Sequence, residues 1–437
     1  MKHFITSIKI KKIRHLENIT IPLSETEPKH LILTGKNGSG KTSVIEKLRD
    51  FLSSVKTGQI TNIPSLRKTI LYRTQQLDEL DKKENLTLEE QNQKSSITKN
   101  IKSWESSIAN TAINEVEITF SYFADLQQQY EDGKLLLAYF SVGRINKMAD
   151  PQGPNKFEPN KIYADINVAQ NNNDASQQFL QYLVNLKTQK AEIITKHYDA
   201  NSGILNVSDD DIQTVKKLDD WFDNFEKLLK QIFNDNDLFI DYKGSPEYKF
   251  YIHTKGREPF TFNELSSGYS AVIKIVTELM MRMEQNKTNS YDIEGVVLID
   301  EVETHLHVEL QKNILPFLTT FFPNVQFIVT THSPFVLQSI SNAVIYDLEN
   351  KTLVEDLSAY SWNGIVENYF NVDQYSVIIK QKMHRYEMLK KKDSLLDNES
   401  TELKALENSL RSIDKNISPE LATHVKQLII KYGAVNV

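Results

Sequence analysis

The sequence of 437 residues contains no cysteine. This absence excludes disulfide bonds, thiolate zinc sites and cysteine nucleophiles. No stretch approaches the roughly 18 apolar residues that a membrane-spanning helix needs. The first residues alternate between apolar and polar, without the sustained apolar core of a signal peptide. We therefore expect a cytoplasmic chain with no membrane partner, whose length permits roughly two or three structural units.

Positive charge is not in excess, since 51 Lys and Arg residues stand against 58 Asp and Glu residues, for a net charge of -7. Any contact with nucleic acid would therefore have to come from a local patch. One candidate is the basic stretch between Lys380 and Lys392 on a predicted helix. A solvated helix face explains that stretch at least as well.

Glycine is scarce, with 14 residues in the chain, yet three of them fall in one short segment. This segment matches G-x-x-x-x-G-K-[ST] between a predicted strand and a predicted helix, the context of a phosphate-binding loop. Its glycines let backbone N–H groups point at phosphate oxygens, and the helix N-terminus adds its positive end. Lys41 would contact the phosphates, and Thr42 would offer its hydroxyl to Mg²⁺. The predicted binding residues are Gly35, Lys36, Asn37, Gly38, Ser39, Gly40, Lys41, Thr42 and Ser43.

Two other predicted strands end in polar residues. In the segment 296–301, four apolar residues precede Asp300 and Glu301, which places a carboxylate pair at the carboxyl edge of a sheet, where ligands bind. Asp300 would hold Mg²⁺, and Glu301 would take a proton from an attacking water. One helix and one strand later comes His332. A lone histidine usually packs or caps, but this spacing favours a role at the γ-phosphate.

A fourth motif, Leu265–Tyr269, reads L-S-S-G-Y at the start of a predicted helix. Small residues there offer N–H groups to an anion, although Ser-Ser-Gly is also a common turn.

Together and in this order, the four motifs resemble those of the ABC ATPase superfamily. Gly35–Thr42 matches Walker A, Leu265–Tyr269 the signature motif, Leu298–Glu301 Walker B, and His332 the switch histidine. The resemblance implies ATP and Mg²⁺ as cofactors. It also implies a homodimer formed through the ATP sites, in which Ser266 and Gly268 contact the nucleotide of the other subunit. Further assembly stays open, as does the choice between Gln152 and Gln170 as the Q-loop glutamine.

The opening strands, Ile8–Ile21, resemble those of RecF, SMC and related DNA-repair ATPases, where an early arginine, here Arg14, reaches the nucleotide. The stretch Asp300–His307 resembles the D-E-P-E-x-H-L-H pattern of OLD-type defence ATPases, with Val302 in place of proline. OLD-type proteins end in a Toprim nuclease, but after Pro334 there is no D-x-D and too little strand pattern.

The chain therefore resembles an ATPase without its own effector, like the ATPase subunits of the Septu and retron-linked anti-phage systems. That resemblance implies a separately encoded nuclease or toxin as partner. A DNA-repair or chromosome ATPase that binds nucleic acid is the alternative. A transporter ATPase is disfavoured by the long helical insertions.

The expected fold is α/β, an ABC-ATPase head with a mostly parallel sheet, an N-terminal antiparallel sheet, helical or coiled-coil insertions and a helical C-terminal tail. Thr87 with Glu90 predicts a capping box in the first insertion, and Ser208 predicts a helix N-cap in the second. The expected segments are 1–64 with Walker A, 65–114 as a helical hairpin, 115–175 as strands and a loop, 176–234 as a second helical insertion, 235–348 with the other motifs, and 349–437 as helices.

Overall fold

The computed structural model describes residues 1–56, 63–82, 87–109, 115–123, 125–143, 148–155, 166–168, 175–196, 198–199, 204–205, 208–284, 293–354, 357, 377–392, 394–413 and 419–433. The chain divides into two units, Met1–Ala359 and Tyr360–Val437. No helix among these described residues is both long and apolar enough to cross a membrane.

The first unit contains both strands and helices. Its strands are β1 (Ile5–Ile13), β2 (Leu16–Pro22), β3 (His30–Thr34), β4 (Val116–Phe120), β5 (Leu135–Phe140), β6 (Tyr198–Asp199), β7 (Ile204–Leu205), β8 (Phe239–Lys243), β9 (Lys249–His253), β10 (Phe260–Thr261), β11 (Glu294–Ile299), β12 (Val325–Thr330), β13 (Ala343–Asp347) and β14 (Thr352–Val354). Its α-helices are α1 (Lys41–Lys56), α2 (Ile63–Asp81), α3 (Leu88–Ala109), α4 (Leu126–Glu131), α5 (Phe179–Lys196), α6 (Asp209–Phe233), α7 (Ser267–Glu284), α8 (Val308–Phe321) and α9 (Pro334–Leu337).

A six-stranded sheet, in the order β14-β13-β3-β12-β11-β5, forms the centre of the first unit. All of its strand pairs are parallel except β13 with β14. Strands β3, β5 and β12 are buried along their whole length, because both faces of the sheet are covered. The sheet aligns the carboxyl ends of β3, β11 and β12, so the three motifs that follow these strands meet at one edge.

A separate antiparallel sheet, in the order β2-β1-β4, precedes and packs against this core. Ile8 lies opposite Ile21 on one side and Ile118 on the other, and all three are buried while Lys9 is exposed. The predicted fold class, with a mostly parallel sheet and an N-terminal antiparallel one, is confirmed. After Pro334, β13 and β14 extend the central sheet.

The first insertion is formed by α2 and α3, which pack together through Leu80, Ile97 and Ile101. The predicted capping box is present, since the Glu90 carboxylate accepts from Thr87 N at 2.9 Å and Glu90 N donates to Thr87 Oγ1 at 3.3 Å. These bonds satisfy N–H groups that the first turn of a helix leaves free.

The second insertion contains α5 and α6, with the two-stranded β6–β7 hairpin between them. Ser208 caps α6 as predicted, by accepting from Asp211 N. The face of α6 that carries Trp221 and Phe225 packs on Phe179 of α5, with ring centroids 6.4 Å and 5.1 Å away. This aromatic packing joins the insertion to the rest of the first unit through Phe262, which lies just before α7.

The second unit consists of three helices, α10 (Val377–Lys390), α11 (Asp397–Arg411) and α12 (Pro419–Gly433). Apolar side chains of the last two helices form its core, together with the fully buried Tyr386. Two residues of the basic stretch form ion pairs inside this unit, since Arg385 binds Glu402 at 2.7 Å and Lys392 binds Glu399 at 2.5 Å.

Candidate nucleotide site

The phosphate loop, Gly35–Thr42, connects the end of β3 to the start of α1. Gly35, Gly38 and Gly40 have φ values of 134°, 86° and 100°. A Cβ at Gly35 would lie 2.8 Å from Ser39 Oγ, and one at Gly40 would lie 2.9 Å from Leu16 Cδ1. Only glycine fits these two positions without strain, since both conformation and space exclude a side chain.

Lys41 folds back over this loop. Its Nζ donates to Gly35 O at 2.8 Å and to Lys36 O at 3.1 Å. Burial lowers the pKa of Lys41, while the nearby carboxylates of Glu301 and Glu303 act in the opposite direction. The ammonium group is thus already at the loop, held by carbonyl oxygens that phosphate oxygens can replace.

The two acids after β11 are oriented by one hydroxyl group on β12. Thr330 Oγ1 donates to Asp300 Oδ1 at 2.6 Å and accepts from Glu301 N at 2.7 Å. Thr330 is fully buried and Asp300 is 1% exposed. Thr330 belongs to none of the predicted site residues, although a polar residue at the end of a buried strand was a usable signal.

Glu301 has a φ of 46°, in the left-handed region that a non-glycine residue seldom adopts. Its Oε2 accepts from Thr304 Oγ1 at 3.2 Å. Such strain is usually found at functional sites, where the surrounding structure enforces it. Thr42, at the end of the phosphate loop, places its Oγ1 3.5 Å from Asp300 Oδ1.

His332 follows β12, and its backbone N donates to Glu303 Oε1 at 2.5 Å. Burial lowers the pKa of His332, and the Lys41 ammonium lowers it further, while Glu303 and Glu301 oppose the shift. The net decrease favours the neutral imidazole, which can donate from one ring nitrogen and accept at the other.

Lys41, Glu301 and His332 line one pocket of about 150 Å³ together with other residues of the phosphate loop. Every lining residue is one that the sequence analysis predicted to bind or act on a nucleotide, including Arg14, which has a φ of 52° in the turn between β1 and β2. The full lining is Arg14, Asn37, Gly38, Gly40, Lys41, Thr42, Ser43, Glu301 and His332.

The signature turn, Leu265–Tyr269, does not contribute to the lining of this pocket among the described residues. Ser266 is exposed, whereas Gly268 is buried. A Cβ at Gly268 would lie 2.9 Å from His305 O, so its glycine allows the close approach of the loop after β11. The Tyr269 ring stacks on Phe233 at 4.3 Å.

Of the two Q-loop candidates, Gln152 is exposed on the segment 148–155, and Gln170 lies outside the described residues. Asn263, just before the signature turn, binds the start of that segment by accepting from Met148 N at 2.9 Å and donating to Met148 O at 3.0 Å. Asn263 is not among the predicted site residues.

The groups in the pocket fit a phosphate chain with a divalent cation. The loop offers backbone N–H groups and an ammonium, and Ser39 Oγ is buried without a hydrogen-bond partner in the described structure. Thr42 and Asp300 offer oxygen atoms, the ligands that Mg²⁺ prefers. Glu301 and His332, which line the same pocket, add a candidate base and a polar group.

Comparison with known proteins assigns a family. The AAA ATPase domain family matches residues 1–337. The Septu protein PtuA of Bacillus mycoides (strain KBAB4) is 28% identical over 203 residues, covering 44% of this chain and 28% of the relative. The retron Ec83 probable ATPase of Escherichia coli is 30% identical over 215 residues, covering 42% of this chain and 39% of the relative.

The match therefore spans less than half the length of these two curated relatives. Among solved structures, an SMC head bound to the C-terminal winged-helix domain of ScpA is similar over 79% of this chain and 94% of that one, at 9% identity and a TM-score of 0.37. A similarity this distant does not bear on function.

Proposed function

Because this chain belongs to the AAA ATPase domain family, we propose that it hydrolyses ATP as the ATPase subunit of a bacterial anti-phage defence system. The observation that supports hydrolysis most directly is the pocket that unites the phosphate loop with Glu301 and His332. A binding loop alone would hold a nucleotide, whereas a carboxylate and a histidine beside it can act on an attacking water.

In the proposed reaction, Lys41 moves from its carbonyl partners to the terminal phosphates of ATP. Mg²⁺ bound through Thr42 and Asp300 would withdraw charge from the phosphate oxygens. Glu301 accepts a proton from water, with its backbone position fixed by Thr330. His332 donates to the γ-phosphate and stabilises the charge that develops there.

We further propose that ATP joins two copies of the chain. Ser266 is exposed and lies outside the lining of its own chain's pocket, so it is available to the nucleotide of a second copy. In this arrangement Ser266 and Gly268 of one copy cover the phosphate loop of the other. Hydrolysis then releases the contact, which makes the dimer a nucleotide-dependent switch.

The defence role rests on relatives named as a Septu protein and as a retron ATPase. By this proposal a separate nuclease or toxin in the cytoplasm is the controlled partner. The DNA-repair alternative receives less support, because Arg385 and Lys392 of the basic stretch are already paired with glutamates of α11.

Complementation between two inactive variants tests the shared site. Lys41→Ala and Ser266→Arg each inactivate both sites of their own homodimer, but a mixed dimer keeps one site in which both groups are native. A 1:1 mixture should regain about a quarter of native activity, since half of the dimers are mixed and each has one of two sites. Phosphate release measures the outcome.

The matched control mixes Lys41→Ala with Glu301→Gln. Both of these residues belong to the same chain's pocket, so every site in the mixed dimer carries one change and activity should stay absent. Equal recovery in both mixtures, or in neither, would reject the shared site.

A pull-down of the tagged Glu301→Gln chain from its native host, with and without ATP, tests the proposed effector. A stoichiometric nuclease-like or toxin-like protein supports the defence role. Nucleic acid alone, bound only with ATP, supports the repair alternative instead.

A further inference from the structure

The turn between β13 and β14 is fixed by its own aspartate. Asp347 is 3% exposed, and its Oδ1 accepts from Glu349 N at 2.8 Å and from Asn350 N at 3.2 Å. Asn350 Nδ2 donates to the other oxygen at 2.8 Å. An aspartate that binds the backbone two and three residues later holds a turn in one conformation. Glu349 is therefore presented from a rigid position.

Glu349 reaches the phosphate loop at Lys36, with both carboxylate oxygens engaged. Oε2 accepts from Lys36 N at 3.2 Å, and Oε1 accepts from Lys36 Nζ at 2.8 Å. The two backbones are also close, since Leu348 N donates to Thr34 O at 3.0 Å. A Cβ at Gly35 would lie 3.2 Å from Glu349 N. The turn thus supports the loop from the side of β13.

The two contacts of Glu349 differ in what they do to the loop. The Lys36 side chain is 69% exposed, and ion pairs at such exposure contribute little. The bond to the backbone N–H instead fixes the peptide between Gly35 and Lys36, because the oxygen of the same peptide, Gly35 O, accepts from Lys41 Nζ. Glu349 and Lys41 therefore hold that peptide from its two ends.

We propose that Glu349 is a positioning residue for nucleotide binding. By accepting the N–H of Lys36, it turns that group away from the pocket and keeps the rest of the loop curled for the phosphates. This inference rests on the proposed binding of ATP by the loop. It places the contribution of Glu349 in nucleotide affinity and not in the chemical step, because Glu349 does not line the pocket with Glu301 and His332.

Calorimetric titration with Mg-ATP tests this in the full chain, with Glu301→Gln as a background in which ATP persists. Glu349→Ala should raise Kd about tenfold, because an unheld loop must be ordered on binding. Glu349→Gln, whose amide oxygen can still accept from Lys36 N, should stay within about threefold of native. With Glu301 native, kcat of Glu349→Ala should stay within about twofold of native.

A double-mutant cycle separates the two contacts. In a Lys36→Ala background the backbone N–H remains, so Glu349→Ala should still raise Kd about tenfold. If the effect disappears in that background, the exposed ion pair carries it and the proposal is overturned. Thr352→Ala, at the exposed start of β14 and without contact to Lys36, is the control and should leave Kd near native.

An unchanged Kd for Glu349→Ala, or a loss confined to kcat, also overturns the proposal. Should Glu349→Ala fold poorly by its thermal unfolding curve, Glu349→Ser removes the same long-range acceptor with less change in polarity. Failure of the native chain to bind ATP at all would instead reject the proposed function, so the two failures are distinguishable.

Discussion

The phosphate loop and the signature turn both lead into a helix and both contain a buried glycine, but they use it for different reasons. Gly35 has a positive φ that curls the loop. Gly268 is helical, and its missing side chain lets His305 O approach. The phosphate loop meets Glu301 and His332 of its own chain in one pocket, whereas Ser266 of the signature turn is exposed. One loop is completed within the chain, and the other offers its groups outward.

The largest effect should come from the carboxylate at the completed loop. Glu301→Gln removes the group that accepts the proton, so hydrolysis should fall by about 100-fold or more, while ATP still binds. Phosphate release measures the rate, and light scattering with ATP should show the dimer accumulating.

Glu303→Gln is the matched control, because its amide oxygen can still accept from His332 N and its change in charge is the same. If Glu303→Gln lowers hydrolysis as much as Glu301→Gln does, the assignment of Glu301 as the catalytic base is wrong.

The second prediction concerns the outward-facing turn. Ser266→Ala should lower hydrolysis by about tenfold to thirtyfold, as expected at the low end for the loss of one hydrogen bond to a charged group. The Kd for ATP of the dilute monomer should not change, because Ser266 is outside its own pocket. Rates and binding are measured at several protein concentrations.

Ser267→Ala changes the adjacent exposed serine in the same way and should have a smaller effect. If Ser266→Ala instead weakens ATP binding by the monomer, the contrast between the two loops fails, and the signature turn serves its own chain.

The third prediction examines how the completed site is held together. Thr330→Val keeps the shape of the side chain but removes the hydroxyl between Asp300 and Glu301. We expect kcat to fall about tenfold, because a buried carboxylate loses a donor and the Glu301 backbone loses its acceptor. Steady-state phosphate release gives kcat and KM separately.

Thr331→Val is the control, since Thr331 is equally buried and its hydroxyl accepts only the nearby Ser333 N among the contacts resolved here. If both variants lose the same activity, Thr330 acts through general stability and not through the acids.

Much of the completed site could be predicted because its motifs are continuous in sequence. Gly35–Thr42 and the acids at 300–301 follow buried strands, and parallel strands bring such ends to one edge. The contacts of Thr330 and Glu349 could not be derived in this way. Lys36 and Glu349 are 313 residues apart, and their meeting depends on β13 pairing with β3. The ion pairs of Arg385 and Lys392 could not be derived either, because their glutamate partners lie on another helix.

The smallest expected effect concerns a histidine at the start of β3, the strand whose other end leads into the phosphate loop. His30 is buried, and its Nδ1 accepts from Phe327 N on β12 at 3.1 Å. Burial, aided by Lys29, lowers the pKa of His30 to about 4 from 6.5. Between these two pH values the unfolded chain binds a proton at His30 that the folded chain does not. The contribution of His30 to the free energy of unfolding is therefore complete above pH 6.5 and is lost as the pH is lowered towards 4.

Between pH 7.5 and 5.5 this loss should be about 1 kcal/mol from His30 alone. His30→Asn keeps an acceptor near Phe327 N but does not titrate, so its unfolding free energy should decline less over that interval by about this amount, whatever its absolute stability. Urea unfolding at several pH values measures both proteins, in which all other titrating groups are shared. Identical pH slopes would mean that His30 is protonated without cost in the fold. A difference would show that the strand leading into the phosphate loop is secured by a neutral histidine.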